Sequence, residues 1–105
     1  MGEIVIKITT PVNPASRKFI EHIYAGVGSS IPEIPKYFRR DLSKLASQLG
    51  LRIKSIVGNN KYIKGTIILE YDNNTKRPLK LFTKELEIYV FKKTYENPII
   101  VENGL

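Results

Sequence analysis

A run of apolar residues at helical spacing between Pro35 and Gly50 constrains the fold more than any other part of the sequence. The spacing is i, i+4, i+7, i+8 and i+11, which places the side chains on one side of an α-helix. These residues are Phe38, Leu42, Leu45, Ala46 and Leu49. Proline is favoured at the start of a helix and glycine just after its end. The pattern therefore predicts a helix over residues 35–50 with its apolar side in the core.

A strand and another helix are predicted before this one. Residues 3–9 alternate along the chain, with Ile4, Ile6 and Ile8 on one face, as in a half-buried strand. Asn13 and Pro14 then suit the N-cap and the first position of a helix. The apolar stripe that follows consists of Phe19, Ile20, Ile23 and Val27. It predicts a helix over residues 14–25 that ends at the glycines just beyond.

The rest of the chain is predicted to form strands. Residues 51–54 alternate directly after Gly50, residues 57–61 are a turn, and residues 62–71 are the return strand. A polar loop over residues 72–78 precedes a strand over residues 84–93, and residues 96–105 are expected as an edge strand or a tail. We therefore expect a single α+β domain over residues 1–105. Two helices would pack on one face of a mostly antiparallel sheet of 4–5 strands, in the order β-α-α-β-β-β(-β).

One segment carries the whole formal net charge of the chain, which is +7. Residues 35–64 contain eight basic residues and a single acid, Asp41, whereas the remaining basic and acidic residues are equal in number. The basic residues are Lys36, Arg39, Arg40, Lys44, Arg52, Lys54, Lys61 and Lys64. Such a polarised segment favours an anionic partner, and nucleic acid is the first candidate.

We therefore predict a small, basic, non-enzymatic nucleic-acid-binding protein, with DNA or RNA held mainly through backbone phosphates. Tyr62, on the same predicted strand face as Lys64, could stack on a base beside the charges. The eight cations form one surface only if the strand over residues 51–54 directs Arg52 and Lys54 towards the exposed side of the basic helix. If not, the basic residues simply solvate two separate faces.

The composition excludes several kinds of chemistry. The chain has no cysteine, so it has neither disulfides nor thiolate sites, and its only histidine is His22. We expect no catalytic residue, metal or cofactor. Residues 1–9 alternate instead of forming the unbroken apolar stretch of a secretory signal, and no apolar run approaches the length of a membrane span. An intracellular, cytoplasmic protein is expected.

Two alternatives remain open. The predicted order β-α-α-β-β-β is similar to that of RelE/ParE-like toxins, which cleave ribosome-bound messenger RNA or poison gyrase. The resemblance lies in element order alone, and it implies a metal-independent ribonuclease. Its candidate residues would be Arg52, Lys54, Lys61, Tyr62, Arg77 and Tyr89. The other alternative is an accessory subunit or homodimer that uses its sheet edge and two outward aromatic residues, Tyr89 and Phe91.

Overall fold

The computed structural model describes residues 1–90, 98 and 100–102. These residues form an α+β structure with three helices and an antiparallel sheet of three strands, in the spatial order β1-β2-β3. The elements are β1 (Gly2–Val12), α1 (Arg17–Ser30), α2 (Glu33–Tyr37), α3 (Arg39–Val57), β2 (Lys61–Tyr71) and β3 (Pro78–Val90). The predicted α+β class is confirmed. The predicted strand end at residues 91–93 and most of residues 96–105 lie outside the described residues.

The core lies between one face of the sheet and the helices. In β1 the residues Ile4 and Ile6 are paired with Leu69 and Ile67 of β2, and all four are buried. They form one apolar cluster with buried residues of the helices, which are Phe19, Ile23, Val27, Ile34, Leu42, Ala46 and Ile53. We call this side of the sheet the helix-covered face. Residues that alternate with these along each strand lie on the opposite face.

Helix α1 continues past the point where its glycines were expected to end it. Phe19, Ile23 and Val27 are buried at spacing i, i+4 and i+8, and the helix ends only after Ser30. Gly26 serves packing instead, because a Cβ atom at this position would lie 2.7 Å from Cγ2 of Ile6. The glycine therefore allows α1 to lie close against β1.

The predicted end of the second helix at Gly50 is wrong, and so is the predicted strand over residues 51–54. Both belong to α3, which continues to Val57 with Gly50 and Ile53 buried on its core side. A Cβ atom on Gly50 would lie 2.2 Å from the carbonyl oxygen of Pro14 and 3.2 Å from the ring of Phe19. Gly50 is thus required by the close approach of α3 to the segment before α1.

The predicted helix start at Pro35 also differs from the structure. Pro35 lies inside the short helix α2. Phe38 is not helical, with φ −123° and ψ 35°, and separates α2 from α3, which begins at Arg39. Phe38 still accepts the first backbone bond of α3, from the N–H of Leu42. Lys36 is consequently separated by this break from the basic residues of α3.

The hairpin of this protein joins β2 to β3. The predicted strand over residues 62–71 and the polar loop after it match β2 and the turn at Asp72, while β3 begins earlier than expected, at Pro78. The pairing is Thr66 with Glu85 and then Ile67 with Thr83, so Lys84 is an extra residue in β3. This β-bulge exchanges the faces on which odd- and even-numbered residues of β3 lie.

Candidate nucleic-acid interface

Helix α3 presents five exposed basic side chains. They are Arg39, Arg40, Lys44, Arg52 and Lys54, and we call them together the α3 cationic surface. At 3.6 residues per turn, Arg40 and Lys44 lie one above the other on the side directly away from the core, and Arg52 and Lys54 lie on its two flanks nearer the C-terminus. Arg52 and Lys54 therefore share an element with the other cations because the predicted strand is helix.

Tyr24 of α1 fixes the N-terminal end of α3. Its hydroxyl donates a hydrogen bond of 2.9 Å to the backbone carbonyl oxygen of Arg39 and is also hydrogen-bonded to the hydroxyl of Ser43. The guanidinium of Arg39 lies 5.7 Å from the centre of the Tyr24 ring, a distance at which cation–π attraction contributes. Tyr24 could not be selected from the sequence, because its position on α1 shows nothing of the contact across to α3.

An ion pair offsets the single acid of α3. Arg77, in the turn before β3, has its Nε 3.6 Å from Oδ2 of Asp41. Both side chains are exposed, so the pair adds little to stability. It does place Arg77 beside the α3 cationic surface, since both residues line a groove of about 280 Å³ together with Lys44 and Gln48. The described residues contain no other ion pair, so the five α3 cations have no acidic partner among them.

The basic and aromatic residues of β2 lie elsewhere. Ile63 is buried on the helix-covered face, so its neighbours Tyr62 and Lys64 lie on the opposite face. There Lys64 is paired across the strands with Glu87, and its Nζ lies 5.5 Å from the ring centre of Tyr89. The expected stacking platform at Tyr62 is therefore on the other side of the sheet from the α3 cationic surface.

The two remaining predicted site residues, Lys36 and Lys61, lie outside α3. Lys36 lies on α2 with its Nζ 5.3 Å from the ring centre of Tyr37. Lys61 begins β2 and is paired with Val90, two residues from the buried Ile63. It therefore shares the helix-covered face, at the end of the sheet where α3 finishes. Five of the nine predicted residues thus lie on α3, on more than one side of the helix, and Arg77 lies beside them.

The structure describes only Tyr89 of the two aromatic residues proposed as a partner interface. Tyr89 is half-buried on the opposite face, and its hydroxyl donates a 2.5 Å hydrogen bond to Oε2 of Glu87. This hydrogen bond, with partial desolvation and the charge of Glu87, raises the pKa of Tyr89. Phe91 lies outside the described residues.

The ribonuclease alternative loses the element order on which it depended. The described elements follow the order β-α-α-α-β-β, and the strand that would have carried Arg52 and Lys54 is helix. Its candidate residues are also divided, since Arg52 and Lys54 lie on α3 whereas Tyr62 and Tyr89 lie on the opposite face of the sheet. His22 lines a shallow hollow between α1 and the end of β1. Within the described part of the chain, no group of three or more histidine, cysteine or acidic residues could hold a metal ion.

Comparison with known proteins returns no relative: no protein-family model, no curated protein and no solved structure matches this chain. Among the residues that the structure describes, no helix has the length and apolar character needed to cross a membrane. Function has to follow from the geometry and charge of the chain itself.

Proposed function

We propose that this protein binds nucleic acid through the α3 cationic surface, mainly by contacts to backbone phosphates and without catalysing a reaction. The observation that carries the proposal is the presence of five exposed basic side chains on one helix, whose only acid, Asp41, is offset by Arg77. Uncompensated cations on a rigid element are the footprint that polyanion binding requires.

The length of the α3 cationic surface favours a polyanion over a small anion. The cations form two groups: Arg39, Arg40 and Lys44 near the N-terminus, and Arg52 and Lys54 near the C-terminus. With a rise of about 1.5 Å per residue, the centres of the groups are about 18 Å apart along the helix axis. One small anion would meet only one group, whereas successive phosphates of a nucleic acid can meet both.

The charged residues on the opposite face of the sheet are arranged differently from those of the α3 cationic surface. There Lys64 lies directly across the strands from Glu87, and Lys80 lies directly across from Glu70, so each of these two lysines has an acidic neighbour. Cross-strand pairs of opposite charge stabilise a sheet by themselves. The α3 cationic surface lacks such pairing, and this contrast supports a role in binding.

The test is neutralisation of two cations at the centre of the surface. The variant Arg40→Gln/Lys44→Gln should bind fluorescent duplex DNA, single-stranded DNA or RNA more weakly in anisotropy titrations at low salt, because two phosphate contacts are removed. Both side chains are exposed, so the melting temperature should stay close to that of the unmodified protein.

A matched control removes the same charge from the other side of the sheet. The variant Lys7→Gln/Lys80→Gln changes two residues of the opposite face and should retain the original affinity. Equal losses in both variants would show that net charge alone governs binding and would reject α3 as the site. If none of the three nucleic acids binds at low salt, the proposed function is wrong.

A further inference from the structure

The strand β3 carries three exposed apolar side chains. Leu79, Ile88 and Val90 are 44%, 53% and 69% exposed, and β3 is an edge strand of the described sheet. Ile88 and Val90 are paired with Ile63 and Lys61, so both lie on the helix-covered face. A long edge strand with exposed apolar residues is a surface on which another strand can add.

We propose that β3 pairs antiparallel with β3 of a second copy of this chain, about a two-fold axis that passes between Lys84 and Glu85. The two sheets would join into one, with the helices of both copies on the same side. An interface of this kind is self-complementary, since each contact occurs twice.

The β-bulge at Lys84 determines which registers are possible. Directly opposite residues of an antiparallel pair lie on the same face of the sheet. Because of the bulge, the helix-covered face of β3 holds Leu81 and Thr83 before Lys84 but Leu86 and Ile88 after it. With the axis between Lys84 and Glu85, Leu81 lies opposite Ile88 of the second copy and Thr83 lies opposite Leu86. Every pair then joins residues of one face.

The exposed apolar residues are matched in this register. Ile88 meets Leu81 of the second copy. Val90 meets Leu79, which is a second extra residue of β3, between Pro78 and Lys80, and lines the groove beside α3. The three exposed apolar side chains of β3 would thus each gain an apolar neighbour, which removes their surface from water.

Charge selects the same register. Lys84 lies opposite Glu85 of the second copy, and the two-fold axis repeats this pair, so two pairs of opposite charge form at the centre. A shift of one residue in either direction places Lys84 opposite Lys84 or Glu85 opposite Glu85. Like charges directly opposite destabilise a sheet, so neighbouring registers are disfavoured.

The competing interpretation is that the bulge and Lys84 protect the edge against association, since edge strands often carry lysine and bulges for that purpose. Sedimentation velocity over a range of protein concentrations separates the two. The unmodified chain should sediment as a dimer at high concentration and dissociate on dilution. A chain that stays monomeric over the whole range overturns the proposal.

Charge reversal tests the register itself. Lys84→Glu or Glu85→Lys alone should weaken the dimer, because each places like charges opposite at both central pairs. The double variant Lys84→Glu/Glu85→Lys should restore it, and an equimolar mixture of the two single variants should form a mixed dimer. Both residues are exposed, and far-UV circular dichroism checks that each variant is folded. A dimer that survives both single reversals, or a double variant that stays monomeric, contradicts this register.

Discussion

Asp72 holds the turn between β2 and β3 through its side chain and its backbone. One carboxylate oxygen accepts hydrogen bonds of 2.8 Å and 2.9 Å from the backbone N–H groups of Asn74 and Thr75. The backbone of Asp72 is also hydrogen-bonded to the carbonyl of Arg77 and to the N–H of Lys76, and Lys76 adopts a positive φ of 67°. This turn determines where Arg77 lies, and thereby its ion pair with Asp41.

The variant Asp72→Ala should therefore lower the melting temperature near neutral pH. The backbone N–H groups of Thr75 and Asn74 hold the pKa of Asp72 below its ordinary value of 3.8. A depressed folded-state pKa means that the stabilisation is fully present above the unfolded-state pKa and is lost as the pH falls through the folded-state pKa. The difference in melting temperature between the unmodified protein and Asp72→Ala should shrink over that acidic range.

The control for this residue is Asp72→Asn, which keeps an oxygen that can accept both backbone hydrogen bonds but has no charge to titrate. It should lose less stability than Asp72→Ala. A difference between the unmodified protein and Asp72→Ala that stays constant through the acidic range would show that the carboxylate charge does not stabilise the turn.

At the scale of elements, α3 packs closely against the chain that precedes α1, and two glycines in helices test this packing. Gly50→Ala should destabilise the protein by about 1–3 kcal/mol, because the new Cβ would collide with the carbonyl oxygen of Pro14. Gly28→Ala, in α1, meets only Cγ of Pro35 at 3.5 Å, an ordinary contact. It should stabilise by up to about 1 kcal/mol, since alanine favours a helix more than glycine does.

Urea unfolding of both variants measures these two free energies. Stabilisation by both substitutions would mean that the segment at Pro14 moves easily and that α3 is not held against it. Destabilisation by both would mean that α1, too, lies closer to its neighbours than the structure indicates.

Gly50 also shows why the elements could be predicted only in part. The alternation in β1 and the stripe with Leu42 and Ala46 depend on burial of one face, and the sequence shows such patterns directly. Gly50 has two possible roles, helix end and close packing, and only the position of Pro14 in space distinguishes them. If Gly50 is interpreted as a helix end, the alternation of residues 51–54 predicts a strand, although Ile53 also continues the helical stripe.

At the scale of the whole molecule, charge is divided between two sides of the sheet. The identity of the basic residues could be predicted from the sequence, but the side on which each lies could not. Lys64 lies on the opposite face because its neighbour Ile63 is buried, and Arg52 joins Lys44 because α3 continues past Gly50. Arg77 reaches α3 only through the turn at Asp72, which no periodic pattern in the sequence shows.

This division predicts the salt dependence of binding. If all five cations of the α3 cationic surface meet phosphates of duplex DNA, the logarithm of the association constant should fall with the logarithm of salt concentration with a slope of about −4.5, at about −0.9 per contact. The variant Arg40→Gln/Lys44→Gln should reduce the steepness by about 2, since each removed contact accounts for about 1. Anisotropy titrations at four or five salt concentrations give both slopes.

A slope that does not change in this variant would indicate phosphate contacts elsewhere on the molecule. The control variant Lys7→Gln/Lys80→Gln should leave the slope as it is. A slope close to zero for the unmodified protein would contradict binding through phosphates altogether.

The pairing of β1 with β2 has a consequence for how the chain folds. β1 ends at Val12, whereas its partner β2 begins only at Lys61. The paired residues run from Gly2 with Tyr71 to Val12 with Ile63. The hairpin of β2 and β3 closes over a short turn. β1 can pair only with a strand that is synthesised after all three helices. Contacts so distant in sequence slow folding. During synthesis the isoleucines of β1 therefore lack their partner strand until β2 has left the ribosome.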